Sequence, residues 1–180
     1  MSSRTLSTAI SRASQISQQV VHHQAITKRM ASSTTLKLNT GATIPAVGFG
    51  TWQDKDAQED AVYTALKAGY RHVDTAHIYG TEPAVGSGIK KSGVPRDQIF
   101  LVTKLWNNAH KPESVEKQLD ASLKALDTDY VDLYLMHWPS PFQDGDNLFP
   151  KDKDGKVIPG DADYVEAYVN SREYTELWWS

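Results

Sequence analysis

Residues 48–53 read GFGTWQ, and this stretch decides between the two folds that the surrounding pattern allows. It forms the first strand-to-helix turn of a series in which predicted strands and helices alternate. Such alternation is typical of right-handed βαβ units around a parallel sheet, which is either an open doubly wound sheet or a (β/α)8 barrel. An open sheet that binds a dinucleotide carries G-x-G-x-x-G in this turn, and residues 48–53 do not. The sequence therefore predicts an α/β protein with a (β/α)8 TIM barrel.

The alternating series contains four strands and three helices. Strands are predicted at residues 46–50, 71–74, 100–104 and 131–136, and helices between residues 56 and 69, 81 and 93, and 112 and 125. A capping box at residues 56–59 is expected to start the first helix, and a hairpin of residues 35–38 with 42–44 precedes the series. Gly86 and Gly88, inside the second helix, are expected to let it approach its strand. Only about the first four βα units of a barrel are therefore present.

The composition excludes several classes of protein. The chain has no cysteine, which excludes disulfides, thiolate nucleophiles and thiolate metal sites. No run approaches the ~18 apolar residues of a transmembrane helix, and the net charge of −3 offers no basic excess for binding nucleic acid. No metal site is expected, because His22 and His23 lack further ligands and residues 152–155 are predicted to form a solvated turn.

The amino-terminal segment differs from the rest of the chain. Residues 1–53 carry five basic side chains and no acidic one. Residues 1–34 are rich in Ser, Gln and Thr and lack a long apolar stretch, so they are predicted to be a disordered or transit-peptide-like leader. Translation starting at Met30 is an alternative explanation. A cytoplasmic location is expected, with a mitochondrial location as the alternative that a transit peptide would imply.

Four ionisable side chains lie at or just after the carboxyl ends of the predicted strands. Asp74 ends the second strand, Tyr79 lies in the loop after it, Lys104 ends the third strand, and His137 follows the fourth. The carboxyl ends of barrel strands converge on one face, where active sites are found. We therefore expect these four side chains to meet there.

The four residue types suit the reduction of a carbonyl group. A tyrosine hydroxyl keeps its proton at neutral pH and can donate it to a carbonyl oxygen. A lysine ammonium beside it favours the phenolate that remains, and a carboxylate paired with the lysine holds the ammonium in place. A neutral histidine can orient the carbonyl or donate a second hydrogen bond. None of these groups supplies a hydride, so a nicotinamide cofactor is implied.

Three motifs resemble the aldo-keto reductases, a family of barrel enzymes that reduce aldehydes and ketones with NADPH. Residues 69–76, followed by Tyr79, Glu82 and Gly86, are similar to the first family signature. Residues 102–106 and 134–139 are similar to the next two landmarks. The resemblance covers residues 35–166. It implies that Asp74, Tyr79, Lys104 and His137 form the catalytic tetrad, with Tyr79 as the proton donor.

The resemblance also implies binding residues. Gly50, Thr51 and Trp52, together with Asp74, match positions beside the nicotinamide, so NADP is the expected cofactor. Trp52, Trp106 and Trp138 match aromatic walls of a substrate pocket that includes His137. Packing in the core is the alternative explanation for each tryptophan. His72 and His77 match no catalytic position and are expected to be structural or surface residues.

The chain departs from the family pattern near its carboxyl end, where residues 167–180 form an atypical tail. A chain truncated after about half a barrel would have open edges and would lack the other residues that grip the cofactor. The leading hypothesis is an NADP(H)-dependent reductase, monomeric at full length. Residues 140–160 resemble fungal members that act on small polyols and sugars. The alternatives are an inactive half-barrel that acts only through a partner, a non-functional gene product, and a cofactor-binding sensor or channel-associated subunit.

Overall fold

The fold is taken from a computed structural model that describes residues 34–169. All but the last residue of the predicted leader at residues 1–34 lies outside the described residues, as do His22, His23 and most of the predicted tail at 167–180. A short antiparallel hairpin opens the described part, with β1 (Thr35–Lys37) paired to β2 (Thr43–Pro45). Leu36 faces Ile44 across the pair, which confirms the predicted hairpin.

A parallel sheet of four strands follows the hairpin. The strands are β3 (Phe49–Gly50), β4 (His72–Asp74), β5 (Phe100–Leu105) and β6 (Leu133–Met136), and they neighbour one another in chain order. An open doubly wound sheet reverses its strand order at a switch point, whereas a barrel adds each strand beside the previous one. The observed order therefore fits the predicted barrel, and among the described residues β3 and β6 have a neighbour on one side only.

Three helices connect the strands: α1 (Gln58–Lys67), α2 (Glu82–Ser92) and α3 (Pro112–Leu126). Short 3-10 turns occupy His77–Tyr79, Arg96–Gln98 and Asn107–Ala109, and residues 164–169 are also helical. Gly93 follows α2 with φ of 68°, and a proline lies in the first turn of α2 and of α3, positions that these residue types commonly take at helix ends and starts. No helix among residues 34–169 has the length and apolar character to cross a bilayer.

The start of α1 differs from the prediction. Ala57 occupies the N-cap position, and no side chain caps the helix, so the predicted capping box is wrong. Gln53 and Asp54 adopt left-handed conformations, with φ of 72° and 48°, and so turn the chain before the helix begins. The Gln58 side-chain amide then donates to the Gln53 carbonyl at 2.6 Å and links helix to turn.

The core lies between the sheet and the helices, in two clusters of buried apolar side chains. The first joins α1, α2 and the end of α3 to β4 and β5, and the second joins α3 to β5 and β6. Their buried members are Val62, Leu66, Val73, Val85, Ile99, Leu101 and Leu126 in the first cluster, and Leu105, Ala109, Val115, Leu119 and Tyr134 in the second. The strands that these two clusters hold in place carry the residues of the candidate site at their carboxyl ends.

Gly86 and Gly88 allow close packing of helices. A Cβ at Gly86 would overlap the Leu126 carbonyl at the end of α3, and one at Gly88 would lie 2.6 Å from the Glu59 carbonyl oxygen of α1. The prediction of a close approach is confirmed. The predicted partner is wrong, because the backbones that come close belong to the neighbouring helices and not to a strand.

His110 is a buried titratable residue that makes stability depend on pH. It is 1% exposed, and neither of its ring nitrogens forms a hydrogen bond with any of residues 34–169. Burial lowers the pKa of His110 below its ordinary value of 6.5, and the nearby Asp144 carboxylate opposes this only in part. The unfolded chain therefore binds a proton more readily than the folded chain, so stability falls as the pH drops below about 6.5.

We expect His110→Gln to weaken this acid sensitivity. The substitution removes a contribution of up to about 1.4 kcal/mol per pH unit between pH 6.5 and the lowered pKa. Urea unfolding at a series of pH values between about 7.5 and 5 measures the slope. His137, whose pKa is also lowered, leaves a residual slope in the variant. Equal slopes in the two proteins would contradict the prediction.

Candidate active site

The four predicted catalytic residues lie at the carboxyl-terminal edge of the parallel sheet. Asp74 is the last residue of β4, Lys104 precedes the last residue of β5, and His137 directly follows β6. Tyr79 ends the 3-10 turn after β4. The parallel register pairs Gly50 with Asp74 and Lys104 with Leu135, so these strand ends lie side by side.

Lys104 is the centre of the arrangement. Its Nζ atom lies 2.5 Å from Asp74 Oδ1, 2.8 Å from the Thr75 carbonyl oxygen and 3.4 Å from the Tyr79 hydroxyl oxygen. The Lys104 side chain is 12% exposed, and the paired carboxylate offsets the cost of burying its ammonium. The structure therefore brings the predicted phenol, amine and acid together, and the ammonium lies where it can stabilise a phenolate at Tyr79.

The His137 ring packs edge-on against the Tyr79 ring, with 5.5 Å between the two ring centroids. Its backbone N–H donates to the Leu105 carbonyl at 3.0 Å, which aligns the residue after β6 with β5. Burial, followed by the Lys104 ammonium, lowers the pKa of His137 below its ordinary value of 6.5, while Asp74 acts in the opposite direction. The imidazole is therefore neutral at neutral pH, as expected from the sequence, and can hydrogen-bond a carbonyl oxygen.

The three predicted pocket tryptophans surround this group. The Trp52 ring centroid lies 4.8 Å from that of Tyr79, and those of Trp106 and Trp138 lie 5.1 and 6.4 Å from that of His137. Trp52 and Trp138 are 60% and 58% exposed, so packing in the core does not account for them. Trp106 is buried, and its indole N–H donates to the Leu148 carbonyl at 2.8 Å, so this ring packs in the protein interior as well as against His137.

Gly50 and Thr51 lie beside Asp74 at the end of β3. The Thr51 side chain is fully buried, and its hydroxyl donates to the Asp74 carbonyl at 3.2 Å, so it holds the two strand ends together. A Cβ added to Gly50 would meet open space. The uncovered backbone at Gly50, next to the exposed Trp52, leaves room for a flat ring, so these residues could hold a nicotinamide.

Side-chain hydrogen bonds that the sequence did not predict fix Trp106 and the two residues after it. The Gln118 side-chain carbonyl accepts from the Trp106 backbone N–H at 2.5 Å. The amides of Asn107 and Asn108 donate to the carbonyls of Ser140 and Gly145 at 2.7 and 2.5 Å. Two adjacent asparagines one residue after β5 are the signal that could have predicted this attachment of residues 140–149.

The described residues contain no group of three or more His, Cys, Asp or Glu side chains placed to hold a metal ion. Asp152 Oδ1 accepts the backbone N–H groups of Asp154 and Lys156, each at 2.9 Å, as in a turn closed by an aspartate. This geometry confirms the solvated turn predicted for residues 152–155.

Comparison with known proteins points to one family. Residues 46–176 match the model of the aldo/keto reductase family. The chain is 51% identical over 135 residues to the D/L-glyceraldehyde reductase of Hypocrea jecorina and 46% identical over 145 residues to the human aldo-keto reductase family 1 member A1. The aldose reductase of Schistosoma japonicum is a structural neighbour with a TM-score of 0.77 and 35% identity.

The matched region is a large part of this chain and a smaller part of each relative. It covers 72% of the chain and 41% of the Hypocrea reductase, and 77% of the chain and 44% of the human protein. The structural match covers 80% of the chain and 50% of the Schistosoma protein. The chain thus spans about two fifths of the length of the curated relatives it matches, and its four parallel strands are part of a barrel.

Proposed function

The chain belongs to the aldo/keto reductase family, and from this membership we propose that the protein reduces aldehydes and ketones to alcohols with NADP(H). The observation that carries the proposal is the contact of Lys104 Nζ with both Asp74 Oδ1 and the Tyr79 hydroxyl. A proton donor, an adjacent cation and a neutral imidazole at one strand-end site suit proton transfer to a carbonyl oxygen.

Tyr79 is the proposed proton donor. A nicotinamide held beside Tyr79 would supply the hydride that the carbonyl carbon gains. The Tyr79 hydroxyl donates its proton to the carbonyl oxygen, and the nearby Lys104 ammonium stabilises the phenolate that remains. Asp74 keeps the ammonium in place, and neutral His137 orients the carbonyl through a hydrogen bond. The carbon has then gained a hydride and the oxygen a proton, and the product is an alcohol.

The residues proposed to hold the cofactor lie next to this donor. Gly50 ends β3 and is followed by Thr51 and Trp52, and Asp74 on β4 lies opposite Gly50. The open space at Gly50 and the exposed Trp52 ring support this placement. The choice of NADP over NAD rests on the family resemblance.

Small polyols or sugar carbonyls are the proposed substrates. Trp52, Trp106 and Trp138 would supply the apolar walls of the pocket, and His137 its polar contact. The relative in Hypocrea jecorina is named a D/L-glyceraldehyde reductase, which supports a short hydroxylated aldehyde as the first compound to test.

We expect the protein, with its barrel complete, to oxidise NADPH when D-glyceraldehyde is added, and to oxidise NADH more slowly or not at all. The loss of NADPH absorbance measures the rate, and NADPH fluorescence measures binding of the cofactor in the absence of aldehyde. A protein that binds NADPH but reduces neither glyceraldehyde nor other short aldehydes would contradict the proposed reaction and favour a cofactor-binding sensor.

The full-length protein is further proposed to be a monomer located in the cytoplasm. It is proposed to bind a small-molecule substrate and neither nucleic acid nor membrane. Mitochondrial import is the alternative, because residues 1–34 are basic and lack acidic side chains. Size-exclusion chromatography tests the oligomeric state, and fractionation of cells that produce the protein tests its location.

A further inference from the structure

Glu82 carries a buried carboxylate that lies outside the predicted tetrad. It is the first residue of α2 and is 3% exposed. Its neighbour on the sheet is Thr103, which is fully buried and directly precedes Lys104 on β5. Successive side chains of a strand point to opposite faces, so Thr103 points to the helix layer and Lys104 to the strand-end site. Glu82 therefore lies behind the strand that presents the lysine.

The Glu82 carboxylate contacts two elements of the site at once. The Thr103 hydroxyl donates to Glu82 Oε1 at 2.7 Å. Glu82 Oε2 lies 3.6 Å from Nδ1 of His77, the first residue of the turn that ends at Tyr79. One carboxylate thus joins the strand next to Lys104 and the turn two residues before Tyr79.

His77 is the one basic side chain in ion-pair range of Glu82 among residues 34–169. The Ser122 hydroxyl of α3 also lies 3.4 Å from His77 Nδ1, so the ring is held between α2 and α3. Tyr134 of β6 faces the same buried layer, where burial, followed by the Glu82 charge, raises the pKa of its hydroxyl. A buried carboxylate is costly without partners, so these contacts hold Glu82 in one place.

We propose that Glu82 is a positioning residue that sets the distance between the Tyr79 hydroxyl and the Lys104 ammonium by fixing His77 and Thr103 at the same time. This inference rests on the proposed function. The two groups are 3.4 Å apart, at the long end of the hydrogen-bond range. A further displacement of the 77–79 turn by a fraction of an ångström would break the contact, and such displacements reduce catalysis without removing any reacting group.

The test uses Glu82→Gln, which keeps an oxygen to accept from Thr103 but replaces the carboxylate that lies 3.6 Å from His77 Nδ1 with an amide. His77→Gln breaks the same contact from the other side, on a side chain that is 26% exposed and so tolerates change. Glu59→Gln is the matched control, because Glu59 pairs at 3.0 Å with Lys91 on the exposed surface of α1 and α2. The double variant Glu82→Gln, His77→Gln completes a double-mutant cycle.

We expect Glu82→Gln and His77→Gln each to lower kcat for D-glyceraldehyde by roughly ten- to a hundredfold, with KM and the Kd for NADPH within about twofold of the starting values. The double variant is expected to lose no more than the worse single variant, because both changes break one contact. Unchanged kcat in His77→Gln, or losses that multiply in the double variant, would overturn the proposal.

A second measurement does not depend on turnover. With 3-fluorotyrosine at position 79, the fluorine NMR resonance reports the surroundings of the phenol in the protein without substrate. It is expected to move by a similar amount in Glu82→Gln and His77→Gln and to stay in place in Glu59→Gln. A resonance that Glu82→Gln and His77→Gln leave unmoved refutes the positioning role even if the starting protein reduces no aldehyde. An inactive starting protein whose resonance does move refutes only the proposed reaction. If Glu82→Gln does not fold, the kcat and the fluorine resonance of His77→Gln test the positioning role without it.

Discussion

Tyr79→Phe is expected to reduce NADPH-dependent carbonyl reduction by roughly 10²- to 10⁴-fold, the contribution typical of a positioned proton donor. The substitution removes the hydroxyl that lies 3.4 Å from Lys104 Nζ and keeps the ring that packs against Trp52 and His137. Because the aromatic contacts remain, the Kd for NADPH should stay within about twofold of its starting value. Initial rates with D-glyceraldehyde and NADPH fluorescence titrations measure the two quantities.

Tyr63→Phe is the matched control for this experiment. Tyr63 lies on α1, where the ammonium groups of Lys67 and Lys91 approach its ring at 5.9 and 5.5 Å, away from the strand-end site. It should retain full activity. If Tyr79→Phe turned over glyceraldehyde as fast as Tyr63→Phe, Tyr79 would not be the proton donor, and the protonating group would have to be sought at His137 or a water.

Arg96→Met is expected to lower the free energy of unfolding by about 2–4 kcal/mol. The Arg96 guanidinium donates to the carbonyls of Ile99 and Tyr130 at 2.6 and 2.8 Å, and lies 2.9 Å from Asp132 Oδ2. It also packs over the Tyr130 ring at 4.0 Å. These contacts join the start of β5 to the segment that leads into β6, and methionine replaces only the aliphatic part of the side chain.

The loss is large because Asp132 is left without its cation. The Asp132 side chain is 16% exposed, and the same oxygen accepts the Leu101 backbone N–H at 2.8 Å. Lys90→Met is the control, since Lys90 and Asp127 form an ion pair at 2.9 Å in which both side chains are more than two-thirds exposed. That pair is expected to contribute little to stability. Urea unfolding measures both variants, and equal effects of the two would contradict the role given to Arg96.

The order of the elements and the members of the strand-end site were predictable from local patterns. Apolar periodicity marks the helices and the strands β4 to β6, and proline at helix starts and glycine at helix ends mark helix boundaries. These signals can be read locally because each acts within a few residues. Asp74, Lys104 and His137 were identified because parallel strands bring their carboxyl ends to one edge. The start of α1 was not predicted, since the left-handed Gln53 and Asp54 have no glycine to mark them.

By itself, the sequence determined the parallel strand–helix series and which ionisable side chains stand at the strand ends, since a two- or 3.6-residue period and a strand boundary are local properties of a chain. The tertiary structure alone decided what surrounds those side chains. Thr75 accepts from Lys104 across 29 residues, Trp106 is anchored 42 residues away at Leu148, and the Glu82 carboxylate meets Thr103 across 21 residues. Such pairs carry no periodic signal, because they form only when the helices and strands have packed and the buried polar atoms must find partners.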